Sequence, residues 1–132
     1  MKLINFESFE SDTGTLSVYE RFAPEGFELK RVFVVAATSG AQRGAHAHFE
    51  CQQILVAVSG SVVVDCRRNG TKERHVLDRP DVGLLLPKMT WAEQTYMTDD
   101  TILMVMCDRV YAVEDYIRNF EEFLSYEKKF FA

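Results

Sequence analysis

Much of what commonly decides a protein's class is scarce in this chain. Its 132 residues include three prolines and seven glycines, too few for a disordered or low-complexity protein. No apolar run approaches the ~20 residues needed to cross a bilayer. The longest are Val32–Ala37 and Ile102–Cys107. The opening MKLINFESFESD has one lysine, several acids and no continuous apolar core, which is not the pattern of a secretory signal. Cys51, Cys66 and Cys107 are odd in number, widely spaced and without a C-x-x-C pair. Neither a disulfide framework nor a cysteine zinc site is expected from them; reduced, buried thiols in the cytoplasm are. Positive charge is also in deficit. A net charge of −5 argues against nucleic-acid binding, which needs a basic footprint, although a pocket on an acidic protein can be locally basic.

What is present is β-forming material. With 47% apolar and 12% aromatic residues the chain can build a core, and its length fits a single domain over residues 1–132. Short β-prone runs alternate with turn signals every ~8–12 residues, as in a sandwich or barrel. Thr15–Tyr19 follows the turn at Asp12-Thr13-Gly14, and Ala23-Pro24-Glu25-Gly26 is a second turn. A β-prone segment then runs from Glu28 to Ala37. Gln53–Val58 and Ser61–Asp65 flank Ser59-Gly60, which predicts a hairpin, and Asn69-Gly70 predicts another, leading into Lys72–Leu77. Val82–Leu86 and Ile102–Met106 read as further strands. Near the C-terminus Val113, Tyr116, Ile117, Phe120, Phe123 and Leu124 recur at helical spacing, which predicts an amphipathic helix from Glu114 to about Lys128. About eight to ten strands and one helix imply an all-β barrel whose mouth can hold a small ligand.

The most chemically loaded segment is His46-Ala47-His48. In an extended strand both imidazoles face one side, with Cα atoms ~6–7 Å apart. That arrangement suits either chelation of one metal or two proton transfers on adjacent atoms of a substrate. The wider pattern, Gly40, His46-x-His48, Gln53 and Gly60, resembles the first motif of the cupin superfamily, in which two histidines and a glutamate bind metal. Here Gln53 stands at the glutamate position, and Trp91 stands where the second motif supplies another histidine. His75 lies in a hairpin strand and is not expected to be a ligand. Metal binding is thereby weakened, and acid–base chemistry by imidazoles that titrate near neutrality gains.

An ordered set of segments carries a closer resemblance: Glu28-Leu-Lys-Arg31-Val-Phe33, Arg43-Gly-Ala-His46-Ala-His48, Gln53-Ile-Leu-Val, Ser59-Gly-Ser, Leu77-Asp-Arg-Pro-Asp-Val-Gly-Leu84, Trp91-Ala-Glu93 and Asp115-Tyr-Ile-Arg118. Together they resemble the WxcM-like sugar 3,4-ketoisomerases, cupin-type (jelly-roll) barrels acting on dTDP-4-keto-6-deoxyglucose. The resemblance implies a dTDP-3-keto-6-deoxyhexose product made through an enediol, with no metal or other cofactor, on a route to 3-amino sugars of surface glycans such as lipopolysaccharide. It also implies His46 as carbon base and His48 as proton shuttle between oxygens, or the reverse. Arg43 is suited to a diphosphate or an enolate oxygen, with a surface loop charge as the plain alternative. Of the alternating Lys30 and Arg31, Arg31 is expected in the pocket. Gln53, Trp91 and Glu93 are candidate substrate-site residues. Trp91 is placed to stack on sugar or base or to serve as a core aromatic, and Glu93 to orient a histidine or to sit on the rim. Tyr116 and Arg118 are expected to organise the helix against the barrel. Phe33-Val34 replaces a pair of tyrosines common in the family, and Tyr19 is a candidate to replace the lost hydroxyl. The other readings are a cupin-type nucleotide-sugar epimerase, a non-catalytic sugar-binding cupin and a metal-dependent cupin. A homodimer is expected, because pairing covers edge strands.

Overall fold

The computed structural model describes residues 1–20 and 26–132. Among these residues twelve strands run in chain order as β1 (Lys2–Asn5), β2 (Glu7–Ser11), β3 (Gly14–Val18), β4 (Arg31–Ala37), β5 (Gln42–His48), β6 (Gln53–Ser59), β7 (Val62–Arg68), β8 (Thr71–Leu77), β9 (Val82–Leu86), β10 (Trp91–Tyr96), β11 (Thr101–Cys107) and β12 (Tyr116–Ile117), followed by helix α1 (Phe120–Phe130). Two antiparallel five-stranded sheets, β1-β9-β6-β11-β4 and β12-β5-β10-β7-β8, enclose the core; β2 and β3 form a separate hairpin. This is the all-β barrel expected. The turn expected at Ala23–Gly26 lies outside the described residues except for Gly26.

Alternation along the strands shows which side chains face inward. Leu55 and Ala57 of β6, Val62 and Val64 of β7, and Leu103 and Val105 of β11 meet between the sheets with Leu77, Leu84 and Tyr96, all buried. β6 reads as a continuous apolar run because both its faces are covered: Ile54 and Val56 point outward beneath Phe6 and Phe27. On the other sheet Ala47, Trp91 and Ile117 point outward beneath Phe123 of α1. A Phe→Ala change at such a site typically costs ~3–5 kcal/mol.

Two expectations are corrected. Ser59-Gly60 does not close a hairpin, because β6 pairs with β11 and β9 whereas β7 pairs with β10 and β8. The turn carries the chain from one sheet to the other, and a Cβ on Gly60 would lie 2.5 Å from two threonine hydroxyls, so nothing larger than glycine fits there. Asn69-Gly70 does close one; both residues take positive φ (50° and 76°), as a two-residue turn requires. The helix starts later than Glu114. Asn119 is its N-cap, its side chain accepting from the Glu122 amide at 3.0 Å, and the preceding residues form a 3₁₀ turn (Val113–Asp115) and then β12.

Candidate active site

A bulge in β5 decides what the histidine pair faces. Pairing with β10 runs Ala92↔His46 and then Glu93↔Gly44 and Gln94↔Arg43, so Ala45 is inserted between paired positions. Gly44 and Ala45 both take positive φ, 85° and 59°. A Cβ on Gly44 would stand 3.0 Å from the Ala92 carbonyl oxygen, so this kink uses both the freedom and the small size of glycine. Directly opposed residues share a face, and Ala92 belongs to the inner core, so His46 and Arg43 both point inward. In a regular strand, residues three apart would face opposite sides.

An open cavity of about 380 Å³ lies over this face, lined by Arg31, Arg43, Arg118, His46, Gln53, Gln94 and Tyr116. That volume is within the range of small-molecule sites. Among the described residues, none of the three arginines is ion-paired with a carboxylate. Their charge is available to an anion, on a protein that is acidic as a whole.

His48 sits behind His46, buried, with ring centroids 5.1 Å apart. Tyr116 packs against both imidazoles, at 5.1 Å from His46 and 4.4 Å from His48. The Nδ1 of His48 is 3.2 Å from Oδ2 of Asp115, and the same carboxylate accepts from the Glu50 and Cys51 amides at 2.9 and 3.2 Å. A carboxylate only accepts, so Nδ1 carries the hydrogen and Nε2 holds the lone pair. That Nε2 is buried and has no hydrogen-bond partner among the described residues. Burial drives the His46 pKa down to about 4, helped by the neighbouring His48 and by Arg118 and opposed by a hydrogen bond with the Gly44 backbone. Burial also lowers His48, against the pull of Asp115. Both rings are therefore neutral at neutral pH, as bases must be.

The residues expected at the site divide into two groups. His46, Arg43, Arg31 and Gln53 line the cavity with His48 behind, whereas Lys30 is outside, paired with Glu28 at 3.0 Å. Trp91 and Glu93 are not brought to the histidines. They lie on the opposite face of β10 from Ala92 and Gln94, where Trp91 packs on Phe120 and Phe123 at 5.2 and 5.6 Å and donates its Nε1–H to Glu93. Tyr19 is also elsewhere. It packs on Phe6, outside the other sheet, and its hydroxyl donates to the Pro80 carbonyl. Conversely, Tyr116 and Arg118 line the cavity rather than brace the helix, Gln94 lines it beside them, and Asp115 holds His48 from behind; Gln94 and Asp115 are residues the sequence reading did not select. Two signals point to the segment from Asp115 to Arg118. Asn119-Phe-Glu-Glu122 is a capping pattern that starts the helix after Arg118, and Tyr116-x-Arg118 has the two-residue spacing of a strand.

The positions of a cupin metal centre do not form one here. Trp91 faces the helix, and the Gln53 amide is directed at Cys107 Sγ, 3.6 Å away. The donor atoms of His48, Cys51 and Asp115 lie within 4.8 Å of one another, but the Asp115 oxygens already accept from His48 and two backbone amides. His75 is paired with Glu73 at 2.8 Å, on β8.

Comparison with known proteins places this geometry. The chain is 33% identical over 129 residues, 97% of its length and 93% of the relative's, to a TDP-4-oxo-6-deoxy-α-D-glucose-3,4-oxoisomerase of Aneurinibacillus thermoaerophilus. The crystal structure of QdtA, a sugar 3,4-ketoisomerase from Thermoanaerobacterium thermosaccharolyticum in complex with TDP, superposes with a TM-score of 0.90 at 29% identity, covering 99% of this chain and 96% of that one. A histidine-to-asparagine variant of QdtA in complex with TDP-4-keto-6-deoxyglucose gives 0.89 at 28% identity, covering 97% and 94%. The family described as "FdtA: WxcM-like, C-terminal" matches residues 1–128. With its bulged histidine strand inside a barrel of this topology, the chain belongs to the FdtA, WxcM-like family.

Proposed function

We propose that this protein is a sugar 3,4-ketoisomerase acting on TDP-4-keto-6-deoxyglucose. The observation that carries the reading is the placement of a neutral His46 in a cavity with three arginines that have no carboxylate partner among the described residues. The arginines suit the diphosphate and an oxyanion, since guanidinium groups form charge-assisted, bidentate hydrogen bonds with such oxygens.

The chemistry needs two proton movements. A ketone at C4 acidifies the C3–H; a base removes that proton as the C4 oxygen gains one, giving an enediol. The C3 hydroxyl then loses its proton, C4 gains one, and the ketone stands at C3. His46, on the open cavity, is the carbon base. His48, whose Nδ1–H is committed to Asp115, has Nε2 as its basic nitrogen and carries the proton between oxygens. Epimerisation uses the same first step, but the relatives of 28–33% identity reported above are ketoisomerases.

We further propose that the enzyme is a cytoplasmic homodimer. Val32 and Val34 of the edge strand β4 and Phe9 and Leu16 of the β2–β3 hairpin are exposed apolar side chains that a second copy would cover. The three cysteines are free, as a reducing compartment keeps them, and no helix among the described residues is long and apolar enough to cross a membrane.

The test is NMR of the protein with TDP-4-keto-6-deoxyglucose in D2O. New 3-keto signals with deuterium at C4 are expected, and His46→Asn should lower kcat by ~10²-fold or more. Exchange at C3 or C5 without a 3-keto product would replace the reading with an epimerase; binding without exchange would leave a sugar-binding module.

A further inference from the structure

Arg31 is held in an unusual way for a buried-edge cation. Its guanidinium carbon lies 4.6 Å from the centre of the Phe33 ring and 5.2 Å from that of Tyr111. Phe33 is two residues along β4 and so shares the face of Arg31. Tyr111 comes from the chain leaving β11, four residues beyond Cys107, which pairs with Arg31. Tyr111 packs in turn on Tyr116 at 5.7 Å, the ring that also carries Arg118 at 4.3 Å. A guanidinium held by ring faces keeps its five in-plane N–H donors unspent, whereas one held by a carboxylate spends two of them.

We infer that Phe33 and Tyr111 are positioning residues that fix Arg31, through their ring faces, for the diphosphate of the substrate. The inference rests on the proposed function. Tyr111 is 56% exposed, which is high for an aromatic ring and leaves it little part in the core. Removing it perturbs Arg31 more than the fold.

The experiment is calorimetric titration with TDP, together with steady-state turnover, on the intact protein. Tyr111→Leu should raise the Kd for TDP and the KM about 3- to 10-fold, the scale of a partly exposed cation–π contact, with kcat within about 2-fold. Tyr111→Phe should keep the parent Kd for TDP, since it keeps the ring. In an Arg31→Ala background, Tyr111→Leu should add nothing. The inference is overturned if Tyr111→Leu leaves Kd unchanged, if Tyr111→Phe loses as much as Tyr111→Leu, or if the loss persists undiminished without Arg31. Arg31→Ala binding TDP as tightly as the parent would also overturn it, by removing Arg31 from the anion site. Isomerisation in D2O would then still stand or fall separately.

Discussion

Replacing Asp115 by asparagine tests the link between the second imidazole and its carboxylate. In the parent, Asp115 accepts from His48 Nδ1 at 3.2 Å and from the Glu50 and Cys51 amides. The Glu50 amide reaches Oδ1, whereas the Cys51 amide and His48 Nδ1 share Oδ2. An asparagine therefore presents its NH₂ to one of these donors whichever way it turns, and in either orientation the charge is lost from the contact with His48. With the NH₂ at the Oδ2 position Nδ1 must accept, the hydrogen moves to Nε2 and the basic nitrogen is lost; with the oxygen there, the bond to Nδ1 survives without its charge and the ring is a weaker base. A hydrogen bond to a charged partner is worth ~1.5–3 kcal/mol. At about 1.36 kcal/mol per tenfold, kcat should fall about 10- to 150-fold. The Kd for TDP should stay within about 2-fold, because Asp115 does not line the open cavity. Following conversion of TDP-4-keto-6-deoxyglucose by NMR gives kcat, and a thermal melt establishes that the variant is folded. A folded Asp115→Asn protein turning over within 2-fold of the parent would refute the orienting role.

The pH profile supplies another check. Both rings must be neutral to act, and burial lowers both, His46 from 6.5 to about 4, so the acid limb of kcat/KM should lie below 6.5. The sign for stability follows from the same shift: between pH 6.5 and 4 the unfolded chain takes up a proton that the folded one refuses, so stability should fall with acidification across that window. A melting temperature that is flat over that range, with an acid limb at 6.5, would contradict the burial of His46. Gly44→Ala should lower the melting temperature and kcat/KM together. Its positive φ strains any L side chain and the 3.0 Å approach to the Ala92 carbonyl would require that backbone to give, so strain of ~1–3 kcal/mol falls on the bulge that aims Arg43. Parent-like stability and turnover in that variant would show that the bulge tolerates a side chain.

Most of the barrel was legible because its signals are local. Alternation in Val62–Arg68, the Asn69-Gly70 turn and the apolar runs of β9 and β11 each depend on a handful of neighbouring residues. The histidine pair was legible for the same reason: a two-residue spacing survives in any extended conformation. The errors lie where long-range pairing chose between local options. Ser59-Gly60 is a competent hairpin turn, yet better burial comes from sending β6 and β7 into opposite sheets. Tyr116 and Ile117 fit a helical face as well as a strand, and pairing with His48 and Ala47 on β5 selected the strand. That choice brought Asp115, Tyr116 and Arg118 to the site.

The sequence by itself determined that this is an all-β chain with paired imidazoles and a deficit of metal donors. Only the tertiary structure decided which side chains share the cavity. One inserted residue, Ala45, turns Arg43 to the same face as His46, and the face of β10 on which a residue falls excludes Trp91 and Glu93 while admitting Gln94. Because strand side chains alternate with a period of two, a shift of one residue reverses every orientation beyond it. Such a shift is set by hydrogen-bond pairing between distant segments, which no local pattern records.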